Sequence, residues 1–206
     1  MPWDWLNIIG TVAFVISGAV IAMEEEYDLL GVLVLGMATA FGGGILRNML
    51  LGIPLTAFWN QGSLFTIALV AMLIVFILPS KYIFYWNRWG IFFDAVGLAA
   101  FAIQGALYAT QMNYPLSATI VAAVLTGIGG GIIRDVLAGR KPLVFKAEVY
   151  AVWAMLGGLA VGMKWAVSNT ELLLLFLFII ACRMISVYYG WKLPRRSLRS
   201  TTGAGM

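Results

Sequence analysis

The sequence predicts an all-α integral membrane protein with seven transmembrane helices, arranged as two inverted three-helix repeats plus a seventh C-terminal helix. Of the 206 residues, 62% are hydrophobic and 11% are charged, whereas soluble domains devote about a quarter of their residues to charge. The mean hydropathy is +0.95. The charged residues fall mainly between apolar blocks of about 20 residues, the length that crosses a hydrocarbon core. An internal sequence repeat predicts that the first six helices form two related three-helix units.

Seven apolar blocks predict the helices in order. They lie at residues 6–23, 29–51, 58–78, 91–110, 116–137, 145–163 and 172–189. No basic segment precedes the first block and no convincing cleavage site ends it, so we interpret it as a helix and not as a signal peptide. We divide the chain into a first three-helix repeat at 1–90, a second, inverted repeat at 91–164, and a seventh helix with a basic tail at 165–206.

The basic residues predict the orientation in the membrane. Counted over alternate connections, nine lysines and arginines fall on one side and only Lys164 on the other. Cytoplasmic connections carry the excess of basic residues. We therefore expect a multi-pass protein of the cell (inner) membrane, with the N-terminus outside and the C-terminus in the cytoplasm. The nine are Lys81, Arg88, Arg140, Lys141, Lys146, Lys192, Arg195, Arg196 and Arg199.

A shift of 87 residues reveals the repeat. Without a gap, 18 of the 43 positions at 10–52 match their partners at 97–139, including three glycines and an arginine in one register. Each unit holds three predicted helices, an odd number, so the second copy enters the membrane from the opposite side. Inverted repeats of this kind occur in many transport proteins, whose sites lie near the midplane at broken helices.

Each repeat carries three consecutive glycines in its second helix. Glycine in a helix interior costs about 1 kcal/mol relative to alanine, and irregular backbone at membrane depth is tolerated only where it is buried in protein or lines water. One interpretation is a kink that lines a pore. The other is close helix packing through small residues, and the two can coexist. The candidate residues are Gly42, Gly43, Gly44, Gly129, Gly130 and Gly131.

Ionisable residues within apolar segments usually face a bundle interior and mark a pathway. Arg47 and Arg134 follow the two glycine triplets at matched positions. Asp94 shares the depth of Arg134, and we predict that the two pair. Asp135 is the immediate neighbour of Arg134, so its side chain points about 100° away. We expect it to attract cations or to contact a helix at the inner mouth instead of pairing. Arg47 should bond backbone carbonyls near the glycines, or Asn7.

The remaining polar residues within the spans have two interpretations each. Ser17 and its repeat partner Gln104, and Thr39 and its partner Thr126, lie at mid-span. Their side chains either line a pore or bond a backbone carbonyl one turn back. Arg183 lies about two turns from the inner end of the last helix, and we expect its guanidinium to reach the membrane interface.

Several classes of function are disfavoured. The chain has no histidine, no Walker loop, no HExxH and no serine elbow, so we predict neither an enzyme nor a protein with a cofactor or metal site. Cys182 is the only cysteine, so no internal disulfide forms. The net charge of +4 is explained by membrane orientation, and we expect no nucleic-acid partner.

The motifs resemble those of a known family. The glycines continue into Gly-Gly-Gly-Ile-Leu-Arg-Asn at 42–48 and Gly-Gly-Gly-Ile-Ile-Arg-Asp at 129–135. Two three-helix repeats with this motif and a seventh helix resemble the prokaryotic trimeric intracellular cation (TRIC) channels, also catalogued as a glycine-transporter-like family. The resemblance covers about residues 5–190. It implies a homotrimer with one pore per protomer, lined by the kinked second and fifth helices, that conducts monovalent cations, mainly potassium.

The predicted function is therefore a passive channel, gated at the glycine kinks of helices 2 and 5. Its expected partners are potassium or sodium ions, membrane lipids and further copies of the chain. The alternative is a secondary transporter of glycine or another small solute, which inverted repeats and broken helices suit equally well. A scaffolding protein would give no reason for matched glycines and arginines. The sequence does not separate channel from transporter.

Overall fold

The computed structural model describes residues 3–79, 87–146 and 149–194, and the regular elements in these ranges are all helical. Within these ranges, six spans are long and apolar enough to cross a membrane, and a further apolar helix is shorter. Lys81, Arg195, Arg196 and Arg199 lie outside the described residues. The helices are α1 Asp4–Glu24, α2 Leu29–Leu51, α3 Gly62–Ile77, α4 Asn87–Gln111, α5 Leu116–Leu137, α6 Tyr150–Gly162 and α7 Asn169–Tyr188.

The helix ends follow local sequence signals. The Asp28 side chain accepts a hydrogen bond from the Gly31 amide at 2.7 Å and caps α2. Gly52, with a φ of 68°, ends that helix in the left-handed conformation that glycine adopts without strain. At the start of α7, Ser168 and Glu171 exchange side-chain and backbone bonds in a capping box.

The first, fourth and seventh helices begin two to four residues earlier than predicted, and the third and sixth differ in the kind of structure with which they begin. The third span begins as a 3₁₀ helix, Leu55–Gln61, and becomes α-helical only at Gly62. The sixth begins at Tyr150 and not at residue 145, because the preceding residues form a separate single turn, Leu143–Lys146. The sequence places Lys146 and Glu148 at this junction, and charges there oppose continuation of an apolar span.

The four helices α1, α2, α4 and α5 pack against one another at the centre of the bundle. Around them, α3 packs on α1 and α2, α6 packs on α4 and α5, and α7 packs on α4 and α6. One cluster of buried apolar side chains fills the space among α1, α2 and α3, and another fills the space among α4, α6 and α7. The central four helices therefore position the polar groups described below.

Residues that lie 87 apart make equivalent contacts. The rings of Phe14 and Phe101, which are repeat partners, lie 5.2 Å apart at the centre. Gly10 leaves room for Phe101, and Gly97 leaves room for Phe14. The backbone repeats as well, since Gly52 and Gly139 have φ values of 68° and 69°. Each half of the bundle thus offers its counterpart a similar surface.

Two tyrosines tie each half to the other. The Tyr27 hydroxyl, after α1, donates to the carbonyl oxygen of Leu137 at the end of α5, at 3.1 Å. The Tyr114 hydroxyl, after α4, donates to the carbonyl oxygen of Leu51 at the end of α2, also at 3.1 Å. These bonds define two ends of the bundle. Arg134 lies near the first, here named the Arg134 end, and Arg47 lies near the second, the Arg47 end.

Candidate ion pathway

The glycine triplets of α2 and α5 face each other where the two helices cross. A Cβ at Gly43 would overlap the carbonyl oxygen of Thr126, and a Cβ at Gly130 would overlap that of Thr39. Only glycine allows this approach of two backbones. Both helices are continuous α-helices through the triplets, so the predicted break is not present in this conformation. Here the triplets serve close packing, because glycine keeps its helical hydrogen bonds while it removes the side chain.

The other glycines of the triplets border different surroundings. A Cβ at Gly42 would lie 2.5 Å from Ile133 Cδ1, so an apolar side chain covers that position. A Cβ at Gly131 would lie 3.1 Å from the Tyr150 hydroxyl and 3.5 Å from Asp94 Oδ1. The first two glycines of each triplet therefore pack against the opposite helix, whereas the third borders polar groups.

The Arg134 cluster is a buried ion-pair network. The Arg134 Nη1 atom lies 2.7 Å from Asp94 Oδ1, which confirms the predicted pair. The same nitrogen donates to Ser17 Oγ at 2.6 Å, and this bond ties α5 to α1. The Arg134 and Asp94 side chains are each 2% exposed. A buried guanidinium is tolerated where its charge is matched and its donors are satisfied.

The prediction that Asp135 does not pair with Arg134 is wrong. Arg134 Nε and Nη2 lie 2.9 and 2.8 Å from Asp135 Oδ1. The long arginine side chain bends back along its own helix, so the angle between adjacent Cβ atoms does not limit its reach. The second oxygen, Asp135 Oδ2, accepts from the Leu143 amide at 2.9 Å. Asp135 thus contacts the short helical turn at this end, one of the two roles predicted for it.

The predicted partners of Arg47 are also wrong. Arg47 bonds side-chain amides and not freed carbonyls, because α2 is continuous and its carbonyls are already used. Nε and Nη2 donate to Asn48 Oδ1 at 3.1 and 2.8 Å, and Nη1 donates to Gln104 Oε1 at 3.3 Å. The guanidinium carbon also lies 3.9 Å from the centre of the Tyr108 ring. Asn7 lines the adjoining cavity.

The two clusters are repeat equivalents that differ in charge. Arg134 bonds Ser17 from α1, and Arg47 bonds Gln104, the repeat partner of Ser17, from α4. At the Arg134 end, two carboxylates face one guanidinium. At the Arg47 end, asparagines take both carboxylate positions in the sequence. The groups of the Arg134 cluster therefore carry one negative charge, and those of the Arg47 cluster carry one positive charge.

A cavity adjoins each cluster. The Arg134 cavity has a volume of about 180 Å³ and is lined by Asp94, Asp135, Ser17 and residues of the bundle end. The Arg47 cavity is much smaller, about 20 Å³, and is lined by Gln104 among others. Among the residues that the structure describes, the two cavities share no lining residue. They approach the glycine crossing from opposite ends.

The core between the cavities is tightly packed. The Phe14 and Phe101 rings meet there. Thr39 Oγ1 donates to the Leu35 carbonyl, and Thr126 Oγ1 donates to the Ala122 carbonyl, both at 2.6 Å. These threonine hydroxyls line neither cavity, and their pore-lining role stays a prediction. A wetted path between the two cavities would have to pass this apolar and glycine-rich layer.

The structure adds two residues to the Arg134 end that the sequence did not single out together. Arg183 is 1% exposed, and its guanidinium carbon lies 4.7 Å from the centre of the Tyr150 ring. The expectation that Arg183 reaches the membrane interface is therefore wrong, because α6 covers it. The Tyr150 hydroxyl lies beside Asp94 at Gly131. No spacing in the sequence indicates this contact, whereas Tyr108 could have been found one turn after Gln104.

Charged residues surround the mouth of the Arg134 cavity. Arg140 lies 2.9 Å from Glu24 and 2.5 Å from Glu25, so it links the end of α1 to the segment after α5. Partial burial lowers the pKa of Arg140, but the hydrogen bonds and charges of the two glutamates outweigh it, and the pKa lies above its usual value. Glu24 and Arg140 both line the cavity.

Two buried arginine clusters at the ends of a crossing of glycine-rich helices define a multi-pass membrane protein with a polar interior. A family model described as glycine transporter matches residues 4–80 and 91–165. The chain belongs to this family, which the matched structures identify with the TRIC channels, and the predicted resemblance is confirmed.

Relatives span the whole chain. The UPF0126 membrane protein YvgT of Bacillus subtilis is 60% identical over 199 residues, covering 97% of this chain and 98% of its own. The UPF0126 inner membrane protein YadS of Escherichia coli is 32% identical, covering 94% and 96%. A solved TRIC cation channel has a TM-score of 0.82 at 35% identity, covering 96% of this chain and 98% of its own. The TRIC channel orthologue from Rhodobacter sphaeroides has a TM-score of 0.79 at 29% identity, covering 91% and 98%.

Proposed function

We propose that the protein is a monovalent cation channel, mainly for potassium, with one pore in each protomer of a homotrimer. One observation carries the proposal. Two buried polar clusters, each with its own cavity, approach one crossing of glycine-rich helices from opposite ends. Separation of this crossing would join the cavities into a path through the protomer. The solved relatives that are TRIC cation channels support the same function.

The net charge of the Arg134 cluster suits a cation. An unpaired arginine beside the path would repel potassium, since two unit charges 4 Å apart interact by about 4 kcal/mol at an effective dielectric constant of about 20. Asp94 and Asp135 both lie within 3 Å of Arg134 and reverse the sign of the cluster. The Arg134 cluster therefore favours a neighbouring cation, whereas the Arg47 cluster disfavours one.

Gating at the glycines follows from the packing. The contacts of Gly43 with Thr126 and of Gly130 with Thr39 close the layer between the cavities. The triplets themselves carry no side chains, so bending of α2 or α5 at these positions separates the two backbones without first unpacking a side chain of the triplet. The triplets thus combine the packing and kinking interpretations, with packing in the closed conformation and bending in the open one.

The architecture that accompanies this function has three parts. We infer two inverted repeats, residues 1–90 and 91–164, followed by the seventh helix and tail at 165–206. The matched contacts of Tyr27 and Tyr114 at opposite ends support the inversion. The charge bias supports an N-terminus outside and a C-terminus in the cytoplasm, so the Arg134 end faces inwards. Membrane lipids cover the exposed apolar faces, and the TRIC relatives support the trimer.

The alternative function is a secondary transporter of glycine or another small solute. The description of the family model favours it, and the Arg134 cavity of about 180 Å³ has room for a small solute with its water. A carrier and a channel differ in turnover, because a carrier occludes its solute in every cycle whereas an open channel does not.

Single-protein recording in a planar bilayer tests the proposal. The purified chain is expected to give discrete potassium currents far above the turnover of a carrier. Gly43→Leu, which forces a side chain into the crossing, should reduce current more than it reduces folded yield. Gly62→Leu is the matched control, since a Cβ at Gly62 meets no atom within 4 Å. Saturable glycine uptake by proteoliposomes without unitary currents would favour the transporter and reject the channel.

A further inference from the structure

Arg47 is a buried cation without an acidic partner among the residues that line its cavity. Arg47 is 4% exposed. Its guanidinium donates hydrogen bonds to the neutral side-chain amides of Asn48 and Gln104. Three of its five N–H groups are used in these bonds, and a guanidinium accepts none in return. A buried charge without a counterion is costly in a bilayer protein.

The Arg47 cavity offers hydrogen-bond donors around that charge. Besides Arg47 and Gln104, its polar lining comes from Asn7, Thr11 and Gln61, and none of the lining residues is acidic. Amides and hydroxyls can all turn a donor towards a negative ligand. Asp4, one turn before Asn7 on α1, is exposed and does not line the cavity.

The repeat shows what the Arg47 cluster lacks. At the Arg134 end, Asp94 and Asp135 supply two negative charges, and at the Arg47 end the matched residues are Asn7 and Asn48. The Arg47 end therefore has helices and an arginine equivalent to those of the Arg134 end, but it lacks both of the carboxylates that would neutralise the arginine. A mobile ion that restores one negative charge would neutralise the buried guanidinium.

We propose that the Arg47 cavity binds one monatomic anion, a halide such as chloride, as the counterion of Arg47. The size of the cavity sets the class of ligand. A cavity needs about 10–15 Å³ to hold one water molecule, so about 20 Å³ accommodates one particle of roughly that size. A single halide fits this space more closely than acetate, the carboxylate of glycine or a larger anion does.

The anion has a consequence for conduction that rests on the proposed channel function. With the halide bound, the Arg47 cluster is neutral, and a cation can pass that end of the bundle. Without it, the positive charge of Arg47 repels the cation. Potassium current is therefore expected to depend on the halide at the Arg47 end, although the ion that crosses is the cation.

Binding is tested without any current by thermal unfolding of the purified full chain. Potassium chloride replaces potassium gluconate at constant total potassium. A ligand that binds only the folded state raises its stability. When chloride reaches about five times its dissociation constant, the melting temperature should rise by about 2–4 °C for a chain of this length. An unchanged melting temperature would overturn the proposal, as would equal stabilisation by acetate.

Variants assign the effect to the site. Arg47→Gln should remove the chloride shift. Asn48→Asp keeps the arginine and supplies a fixed counterion in the position of Asp135, so it should stabilise the chloride-free protein and also abolish the shift. Lys164→Gln, which removes an exposed positive charge, should keep the full shift. A full shift in Asn48→Asp, or its loss in Lys164→Gln, would refute the assignment even if Arg47→Gln fails to fold.

Recordings of potassium current distinguish the anion site from the channel proposal. Replacing chloride with gluconate at the Arg47 end should reduce potassium current in the wild type and not in Asn48→Asp. If chloride stabilises the protein through Arg47 but no unitary current is ever seen, the anion site stands and the channel proposal fails. If potassium currents are recorded and chloride changes neither stability nor current, the channel stands and the anion site fails.

Discussion

Asp94→Asn is the sharpest test of the electrostatic role of the Arg134 cavity. The substitution keeps the size of the side chain and removes one negative charge, so the cluster becomes neutral, as Arg134 still pairs with Asp135. A cation at the centre of a cavity of about 180 Å³ lies roughly 6 Å from the Asp94 carboxylate. The attraction lost is then about 0.7–2.8 kcal/mol, for an effective dielectric constant from about 80 down to about 20.

This range corresponds to roughly a threefold to hundredfold loss of potassium occupancy, with about tenfold for an intermediate dielectric constant. Single-channel conductance at low potassium, where entry limits the current, should fall accordingly. The difference from the wild type should shrink as salt rises, because mobile ions screen the lost charge. The variant also loses a charged hydrogen bond, worth about 1.5–3 kcal/mol of stability, which thermal unfolding measures separately.

Glu26→Gln is the matched control. Glu26 is an exposed acid at the same end of the bundle that does not line the cavity, so its loss should leave conductance at low salt nearly unchanged. If Asp94→Asn conducted as well as the wild type at low salt, or if Glu26→Gln lost as much, the reasoning from the Arg134 cluster would be refuted.

Further predictions concern packing, hydrogen bonds and assembly. Gly43→Ala, which drives a Cβ into a backbone carbonyl, should destabilise the fold by about 1–3 kcal/mol, whereas Gly62→Ala should not; equal melting temperatures would argue against the crossing. Tyr27→Phe and Tyr114→Phe each lose one bond and should each cost about 0.5–1.5 kcal/mol in denaturant unfolding, and a large difference between them would contradict their equivalence. Ser168→Ala removes the cap of α7 and should cost about 1 kcal/mol; no loss would show that the cap is dispensable. Native mass measurement in mild detergent should give a trimer, and a monomer at micromolar protein would count against it.

Much of the fold was accessible from the sequence because the repeat adds a second copy of each weak signal. Hydropathy placed the spans, and the shared depth of Asp94 and Arg134 under the repeat predicted a pair that the structure confirms. The repeat carries a further signal of this kind. Ser17 and Gln104 are polar at matched positions, and each bonds the arginine of the other half.

The wrong predictions concern residues whose side chain is long, or residues whose surroundings depend on packing against another helix. Adjacent positions on a helix diverge at Cβ, yet the guanidinium of Arg134 reaches back to Asp135. The burial of Arg183 depends on Tyr150 of α6, and which helix covers α7 is a matter of packing that periodicity does not express. The continuity of α2 and α5 through their glycines depends likewise on the opposing backbone, which compensates for the missing side chains.

The matched contacts at the centre of the bundle bear on how such a chain could be assembled from parts. Phe101 packs against Gly10, and Phe14 packs against Gly97. The two halves therefore contact each other through matching surfaces, as the two subunits of a twofold dimer do. Two separate three-helix chains inserted in opposite orientations would meet through the same surface. The halves of this protein, expressed as two polypeptides, are therefore expected to recombine in the membrane.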